Sequence, residues 1–348
     1  MLTNVTRVAE HGNPAALRCR TYGGDEGNGG MGGGVWPGEL NPDSRALIDA
    51  FVAQGVQPYD RLSVLEARAM VAGSTRLQGP RIELPSVRDL LLPARAGRLP
   101  VRVYHPAPGQ SLPLVVYFHG GGFVTGSVAV ADRPCRLLAR AGRCVVASVE
   151  YRLAPECPFP GPLDDALDST RWLAAHADEL GADAERLVIA GDSAGGNLAA
   201  ATVQRIVAVG GPTIAHQMLL YPTLAPSRDS ASESLVENGE GYLLTRGSLD
   251  WFWDHYLPDP AATRDPRAAP LLAENLAGLP GTTIVVPEFD PLRDEGLAYA
   301  DRLRAALVDV EVDRVPGALH GFWWMAGALS QAGELTERLG ARLRALLE

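Results

Sequence analysis

The sequence predicts an α/β fold in which a mostly parallel central sheet is flanked by helices. From about residue 86 onward, short apolar runs alternate with amphipathic stretches, which is typical of parallel strands connected by helices. The run at residues 114–118 is continuously apolar, as expected of a strand covered on both faces. The chain has 348 residues and is 46% hydrophobic, so one large core with an accessory element can form.

The first 85 residues precede the alternating part, and we predict that they form a leader and cap helices. Residues 23–34 are rich in glycine and are predicted to form a flexible loop. Two short amphipathic helices follow, the first capped by Asp43 or Ser44. Ser63 and Glu66 have the spacing of a capping box at the start of the second helix. Because both helices precede any catalytic motif, we expect them to cover the core.

The alternating part begins with two paired strands and is interrupted once. Residues 222–270 are rich in serine, proline and aromatic residues, and they are predicted to be a cap insertion over the carboxyl ends of the strands. The core is thus divided into residues 86–221 and 271–348. The predicted strands are 88–92, 99–105, 114–118, 144–150, 186–190, 215–221, 283–288 and 310–315, the last at a sheet edge; the predicted helices are 133–142, 163–180, 196–209, 295–307 and 327–347.

Charge and composition exclude several classes of protein. A net charge of −10 repels phosphate backbones and argues against nucleic-acid binding. No apolar run approaches the roughly 20 residues that cross a bilayer, and the N-terminus has no apolar signal segment. None of the four cysteines forms a C-x-x-C pair, which argues against zinc and favours reduced thiols in a cytoplasmic protein.

A G-x-S-x-G motif at residues 191–195 indicates a nucleophilic serine. Ser193 lies between the apolar run 187–190 and a helix-forming stretch, at the sharp strand-to-helix turn that this motif requires. Gly191 and Gly195 remove the clashes that side chains would cause in such a turn. The hydroxyl then lies at a helix N-terminus, whose dipole favours developing negative charge. The bare motif also arises by chance, so partner residues have to be found.

A serine nucleophile needs a base and a group that orients the base. In α/β-hydrolase chains the triad runs in the order serine, acid, histidine, and His320 is the histidine that follows the candidate acids. Asp290, Asp294 and Glu295 compete for the role of the acid. We favour Asp290 because it comes first after a predicted strand, whereas Asp294 is expected to cap the next helix.

His119 and the three glycines after it follow the strand that ends at residue 118. Contiguous glycines allow backbone amides to point at an oxyanion, so we predict Gly120, Gly121 and Ala194 as the donors. His119 is expected to anchor this loop by hydrogen bonds. Because the glycines are contiguous, they do not form a dinucleotide-binding motif, and no metal or cofactor is predicted. The residues expected to support the site from behind are His119, Gly122, Asp192 and Glu288.

Together these motifs resemble those of the bacterial hormone-sensitive-lipase-like esterases, family IV of the α/β-hydrolase fold, in their GDSAG form. The resemblance implies an α/β-hydrolase fold with a helical cap, Ser193, Asp290 and His320 as the triad, and a supporting role for residues 151–156. An internal Arg152–Glu156 pair is compatible with that role. The matching strings are HGGGF at 119–123, YRLAPE at 151–156, GDSAGGN at 191–197, DPLRDEG at 290–296 and HGF at 320–322.

The sequence therefore predicts a carboxylesterase that forms an acyl-enzyme. Bulky residues near the site favour short acyl chains, up to roughly hexanoyl, although they could equally belong to the core. A deacetylase or amidase with the same triad is an alternative; a non-catalytic receptor, as in the related gibberellin receptors, is disfavoured because His320 is present. The partner is a small ester, and a homodimer is left open. The bulky residues considered are Trp36, Trp251, Trp253, Phe322, Trp323 and Trp324.

Overall fold

The computed structural model describes residue 36, residues 38–230 and residues 232–347. The predicted glycine-rich loop at 23–34 and Cys19 lie outside the described residues. The described part contains one mixed sheet of eight strands. The strands are β1 (Ser86–Ala94), β2 (Gly97–His105), β3 (Leu112–Phe118), β4 (Val145–Val149), β5 (Ala182–Asp192), β6 (His216–Leu220), β7 (Gly281–Phe289) and β8 (Val310–Leu319), in the spatial order β1-β2-β4-β3-β5-β6-β7-β8. In this order the pairs β1–β2 and β2–β4 are antiparallel, and every pair after them is parallel.

Helices cover both faces of the sheet, as the sequence predicts. The helices are α1 (Pro42–Ala53), α2 (Val64–Gly73), α3 (Asp132–Gly142), α4 (Gly161–Ala175), α5 (Ala194–Val209), α6 (Glu233–Asn238), α7 (Arg246–Tyr256), α8 (Arg293–Ala305) and α9 (Ser330–Leu347). Helices α4, α5 and α8 bury apolar residues against one face of the sheet, and α3 and α9 bury theirs against the other face. Along β3, Leu114 and Val116 face the first group of helices, while Val115 and Tyr117 face the second.

Local chemistry explains where the two N-terminal helices begin. The capping box is confirmed, because Ser63 and Glu66 exchange hydrogen bonds at the start of α2. The predicted cap of α1 is wrong: the helix begins at Pro42, whose fixed φ suits a first turn, and Asn41 holds the cap position. Asp43 lies inside the first turn and accepts hydrogen bonds from Ser330 of α9 instead.

The edge position of the last strand is confirmed, because β8 pairs with β7 alone among the described strands. The strand is longer than predicted and extends to Leu319. Its extension matters for the site, because it places residue 320 directly at the carboxyl end of the sheet. Of the helices that the structure describes, none has the length and apolar character needed to cross a membrane.

Candidate active site

Ser193 lies in the turn between β5 and α5, in a backbone conformation that non-glycine residues rarely adopt. Its φ is 52° and its ψ is −117°. Such strain persists only where the surroundings hold it, and here they do so through both backbone groups. The Ser193 amide donates to the Leu220 carbonyl at 2.9 Å, and the amides of Asn197 and Thr223 donate to its own carbonyl at 3.1 and 3.3 Å. A Cβ atom at Gly195 would fall on the Phe118 carbonyl oxygen, which explains that glycine.

The structure brings Ser193, His320 and Asp290 into one hydrogen-bonded line. His320 Nε2 lies 3.0 Å from Ser193 Oγ, and His320 Nδ1 lies 2.8 Å from Asp290 Oδ2. The Asp290 side chain is fully buried, and its other oxygen accepts the Leu292 amide at 2.8 Å. Each of the three residues directly follows a strand, so all three meet at the carboxyl edge of the sheet. The arrangement can move a proton from the serine to the imidazole and hold the resulting charge.

The two other candidate acids have different partners. Asp294 accepts the Ser234 amide at 2.7 Å, so it caps the start of α6; the prediction that it caps α8 is wrong. Glu295 is buried and accepts the Leu224 and Ala225 amides at 2.8 and 3.3 Å. It thereby holds the loop after β6, whose Thr223 amide supports the Ser193 carbonyl. Neither acid hydrogen-bonds to His320.

Glu295 is expected to make stability depend on pH. Its burial raises the pKa of the carboxyl from 4.5 to about 8, so the folded protein retains a proton that the unfolded chain loses. The contribution of the Glu295 carboxyl to the free energy of unfolding is complete below pH 4.5. It is lost as the pH rises toward about 8, by at most about 1.4 kcal/mol per pH unit. In denaturant unfolding at pH 6 and 8, Glu295→Gln should therefore show a smaller fall in unfolding free energy than the wild type. The exposed Glu274→Gln is the control, and an identical fall in all three proteins would contradict the assignment.

The loop after β3 supplies backbone amides near Ser193, but not all of those predicted. The Gly120 amide donates to Asp192 Oδ1 at 2.8 Å, so the prediction that it is an oxyanion donor is wrong. Gly121 has a φ of 118°, and its carbonyl accepts the Thr125 amide at 2.8 Å, which folds the loop back on itself. Among the described residues, the amides of Gly121, Gly122 and Ala194 have no hydrogen-bond acceptor.

Asp192 and two tyrosines hold this loop against the turn that carries Ser193. Asp192 is 2% exposed and accepts hydrogen bonds from both Gly120 and the Tyr117 hydroxyl; burial raises the pKa of its carboxyl to about 6. The Tyr151 hydroxyl donates to the His119 carbonyl at 2.6 Å, and its ring stacks on the imidazole. The sequence analysis did not predict a role for Tyr117 in the site, because a position within an apolar strand carries no signal of such a role.

His119 serves as an anchor of the loop. Its Nδ1 lies 2.8 Å from the Gly120 carbonyl, and complete burial lowers the pKa of its imidazole to about 4. It is therefore neutral at physiological pH and donates to the carbonyl.

Glu288 plays a similar part behind His320. Its carboxylate is buried and accepts the Gly317 amide at 2.8 Å and the Gly38 amide at 2.7 Å, which ties the N-terminal segment to the end of β8.

The Arg152–Glu156 pair that the sequence left open inside residues 151–156 does not form. Arg152 makes its ion pair with the buried Asp165 at 2.7 Å, and not with Glu156. Glu156 instead pairs with Arg68 of α2 at 2.6 Å. Arg68 also donates to the Val124 carbonyl at 2.9 Å, so it connects α2 to the end of the glycine loop. Asp165 lies 13 residues after Arg152, in α4, and Arg68 lies 88 residues before Glu156, so local spacing does not reveal either partner.

A cavity of about 210 Å³ opens above Ser193 and His320. Both predicted cap segments contribute to its wall, one through residues 51–77 and the other through residues 243–253. Of the six bulky residues considered, Trp253 and Trp324 line the cavity; the structure places the other four elsewhere. The aromatic side chains that sequence reasoning missed are Phe51, Tyr59, Phe123 and Phe252.

Histidine, cysteine and acidic side chains also lie outside the line formed by Ser193, His320 and Asp290. Within them, no cluster of three histidine, cysteine, aspartate or glutamate side chains is placed to hold a metal ion. Cys135 and Cys144 are buried free thiols, and Cys157 is a partly buried one.

At the carboxyl edge of this mostly parallel sheet lie the serine turn and the hydrogen-bonded line of Ser193, His320 and Asp290, which we call the relay. This combination defines a hydrolase of the α/β class. Residues 115–324 match the family described as having the alpha/beta hydrolase fold. The chain belongs to the alpha/beta hydrolase family.

Several of its relatives are named as esterases. The chain is 43% identical over 279 residues to the carboxylic ester hydrolase LipN of Mycobacterium tuberculosis, covering 78% of this chain and 73% of the relative. It is 38% identical over 307 residues to the ethyl acetate hydrolase of Pseudomonas putida, covering 85% and 95%. Among solved structures, the hyperthermophilic esterase of the archaeon Pyrobaculum calidifontis superposes with a TM-score of 0.84 at 36% identity, covering 88% and 99%. The protein is accordingly a carboxylic ester hydrolase.

Proposed function

We propose that the protein hydrolyses short-chain carboxylic esters through an acyl-enzyme on Ser193. The observation that carries the proposal is the relay itself, with 3.0 Å between Ser193 Oγ and His320 Nε2 and 2.8 Å between His320 Nδ1 and Asp290 Oδ2. Both distances are within the reach that proton transfer requires. The relay lies at the base of a cavity that can hold a small ester.

The reaction follows from this geometry in two halves. His320 Nε2 takes the Ser193 proton as Oγ bonds to the ester carbonyl carbon, and the carbonyl π electrons move to oxygen. The oxyanion then collapses, the bond to the leaving oxygen breaks, and His320 protonates the departing alcohol. Water next gives a proton to His320 and its oxygen bonds to the acyl carbon, which forms a second oxyanion. When this oxyanion collapses, the bond from the acyl carbon to Ser193 Oγ breaks, His320 returns the proton to Oγ, and the acid is released. Asp290 fixes the imidazole tautomer and stabilises the imidazolium throughout.

We assign the oxyanion to the amides of Gly121, Gly122 and Ala194. All three lack an acceptor within the described chain and flank Ser193, whereas the Gly120 amide is occupied by Asp192. Donors fixed before the reaction stabilise the developing charge without reorganisation. The loop is fixed here by Asp192, Tyr117 and the His119 anchor, so its amides are held in place before substrate arrives.

The short-chain preference rests on the limited volume of the cavity, about 210 Å³, and on its mainly apolar wall. In a series of p-nitrophenyl esters from C2 to C12, kcat/KM should be highest at or below about C6, because longer chains no longer fit. Met70→Ala, which shortens a wall residue, should move the maximum toward longer chains. Val207→Ala on the exposed side of α5 should not move it. A wild-type maximum beyond C10 would contradict the short-chain proposal.

Two finer assignments accompany this proposal. The Gly-Asp-Ser-Ala-Gly string at residues 191–195 supports the GDSAG form of the bacterial hormone-sensitive-lipase-like esterases. The cavity wall supports the assignment of cap helices to the described part of residues 1–85 and of the cap insertion to residues 222–270. Arg68 connects the first cap segment to the Val124 carbonyl of the oxyanion loop, and Tyr59 connects it to Ser248 of the second segment through a 3.1 Å hydrogen bond.

A further inference from the structure

The charge of the cavity wall is concentrated in one residue. Of the described residues that line the cavity, Arg76 is the one side chain with a permanent positive charge. His320 is committed to the relay, and Asp192 is buried beneath the glycine loop. Burial raises the pKa of Tyr59 to about 12, so it is neutral at physiological pH. The remaining wall is mainly aliphatic and aromatic.

The charge of Arg76 is not neutralised by any of the described residues. Arg76 lies in the short 3-10 turn Ser74–Leu77 that follows α2, and it is exposed at the rim of the cavity. The described residues give its guanidinium neither an ion pair nor a hydrogen bond. The other arginines of this segment differ. Arg68 pairs with Glu156 at 2.6 Å, and Arg61 lies 3.5 Å from Asp60. The guanidinium of Arg76 thus keeps its full capacity to bind an anion.

We propose that Arg76 makes the enzyme selective for esters that carry a carboxylate at the end remote from the ester bond. This inference rests on the proposed function, since it names the substrate class of the same site. A planar guanidinium presents paired N–H donors that match a carboxylate, which explains the preference for this anion. The apolar wall between Arg76 and Ser193 suits a hydrocarbon spacer, so the preferred substrate has a charged end, an apolar middle and the ester at Ser193.

The net charge of the chain is opposite in sign to the charge of Arg76. At −10, the protein as a whole repels anionic substrates, so an unpaired cation at the cavity rim acts against the average field. The interaction takes place at an exposed rim, where salt screens charges strongly. We therefore expect a moderate effect on substrate binding that weakens with ionic strength, and no role in bond breaking.

The test compares matched anionic and neutral esters. One series contains monoethyl esters of dicarboxylic acids of increasing length, each paired with the ethyl ester of the monocarboxylic acid of equal length. The second contains acetate esters of hydroxy acids, each paired with the acetate of the corresponding alcohol. The measured quantity is the ratio of kcat/KM for the anionic ester to that for its neutral partner. The first series places the carboxylate on the acyl side, and the second on the alcohol side.

Arg76→Gln should lower this ratio about 3- to 10-fold, through KM, at the spacer length that reaches the rim. Arg76→Lys should retain part of the ratio, and Arg61→Gln, the control on the same cap outside the cavity lining, should leave it unchanged. Added salt should lower the ratio in the wild type and not in Arg76→Gln. A fall in one series alone assigns the carboxylate to that side of the ester.

Two results would overturn the inference. One is a ratio that Arg76→Gln leaves unchanged at every spacer length in both series. The other is an equal fall in Arg61→Gln, which would show a general effect of charge on the cap. Hydrolysis of neutral ethyl butyrate by the wild type separates the two proposals. If that ester is hydrolysed and the ratio does not depend on Arg76, the substrate class fails and the proposed function stands; if no ester is hydrolysed, the proposed function fails.

Discussion

Ser193→Ala is expected to lower kcat for p-nitrophenyl butyrate by about five to six powers of ten, because members of a triad act as a unit. The variant keeps the oxyanion amides and the cavity but removes the oxygen that lies 3.0 Å from His320 Nε2. Initial rates with excess enzyme measure the loss. Ser111→Ala, an exposed serine before β3, is the matched control and should retain wild-type activity.

A second readout makes the Ser193 result specific to the nucleophile. An organophosphate should label the wild type once per chain and leave Ser193→Ala unlabelled, as seen by intact-protein mass spectrometry. The variant should unfold as cooperatively as the wild type, because Ala194 and the backbone contacts of the turn are unchanged. Turnover of Ser193→Ala at more than about one hundredth of the wild-type rate would sink the acyl-enzyme mechanism, given the size of the triad effect.

Asp290→Asn should lower kcat by about four powers of ten, the effect of presenting the wrong imidazole tautomer in a serine triad. An asparagine at this position can turn an N–H toward His320 Nδ1. The Nδ1 atom then accepts a hydrogen bond, so the imidazole proton moves to Nε2, which can no longer accept the proton of Ser193. The change is nearly isosteric, and the oxygen that accepts the Leu292 amide can be retained. The rate of p-nitrophenyl butyrate hydrolysis at pH 8 measures the loss.

Asp294→Asn is the matched control for this prediction. Asp294 is four residues away and also carboxylic, but it accepts hydrogen bonds from the Ser234 amide at the start of α6 and from the Arg293 side chain at the start of α8. We expect a loss of stability there, visible in denaturant unfolding, with kcat within about tenfold of the wild type because no reacting group is touched. Equal losses of kcat in both variants would show that the whole loop after β7, and not the Asp290 carboxylate, supports catalysis.

Much of the fold was predictable because its signals are local. An apolar run such as β3 indicates burial on both faces of the sheet. The capping box of α2 depends only on Ser63 and Glu66, which lie within four consecutive residues. The three residues of the relay were also predictable, because each directly follows a strand and parallel strands deliver their carboxyl ends to one edge. Chain order then distinguished His320 from the other histidines.

The errors arose where a residue chooses a partner far along the chain. Gly120 was expected to donate to the oxyanion, and it donates to Asp192, 72 residues away. Glu156 was compatible with a pairing to Arg152 four residues before it, and it pairs with Arg68 of α2, 88 residues away. In each case several groups of suitable chemistry exist, and packing selects one of them.

The sequence by itself determined the kinds of groups in this site and the strand end at which each one stands, because those properties depend on residue type and local periodicity. The tertiary structure decided which groups meet: which glycine amides stay unoccupied, which acid reaches His320, and which side chains from residues 51–77 and 243–253 close over Ser193. The physical reason is that a hydrogen bond or a cavity wall requires positions fixed to within about half an ångström. Only the packing of distant segments against one another supplies that precision.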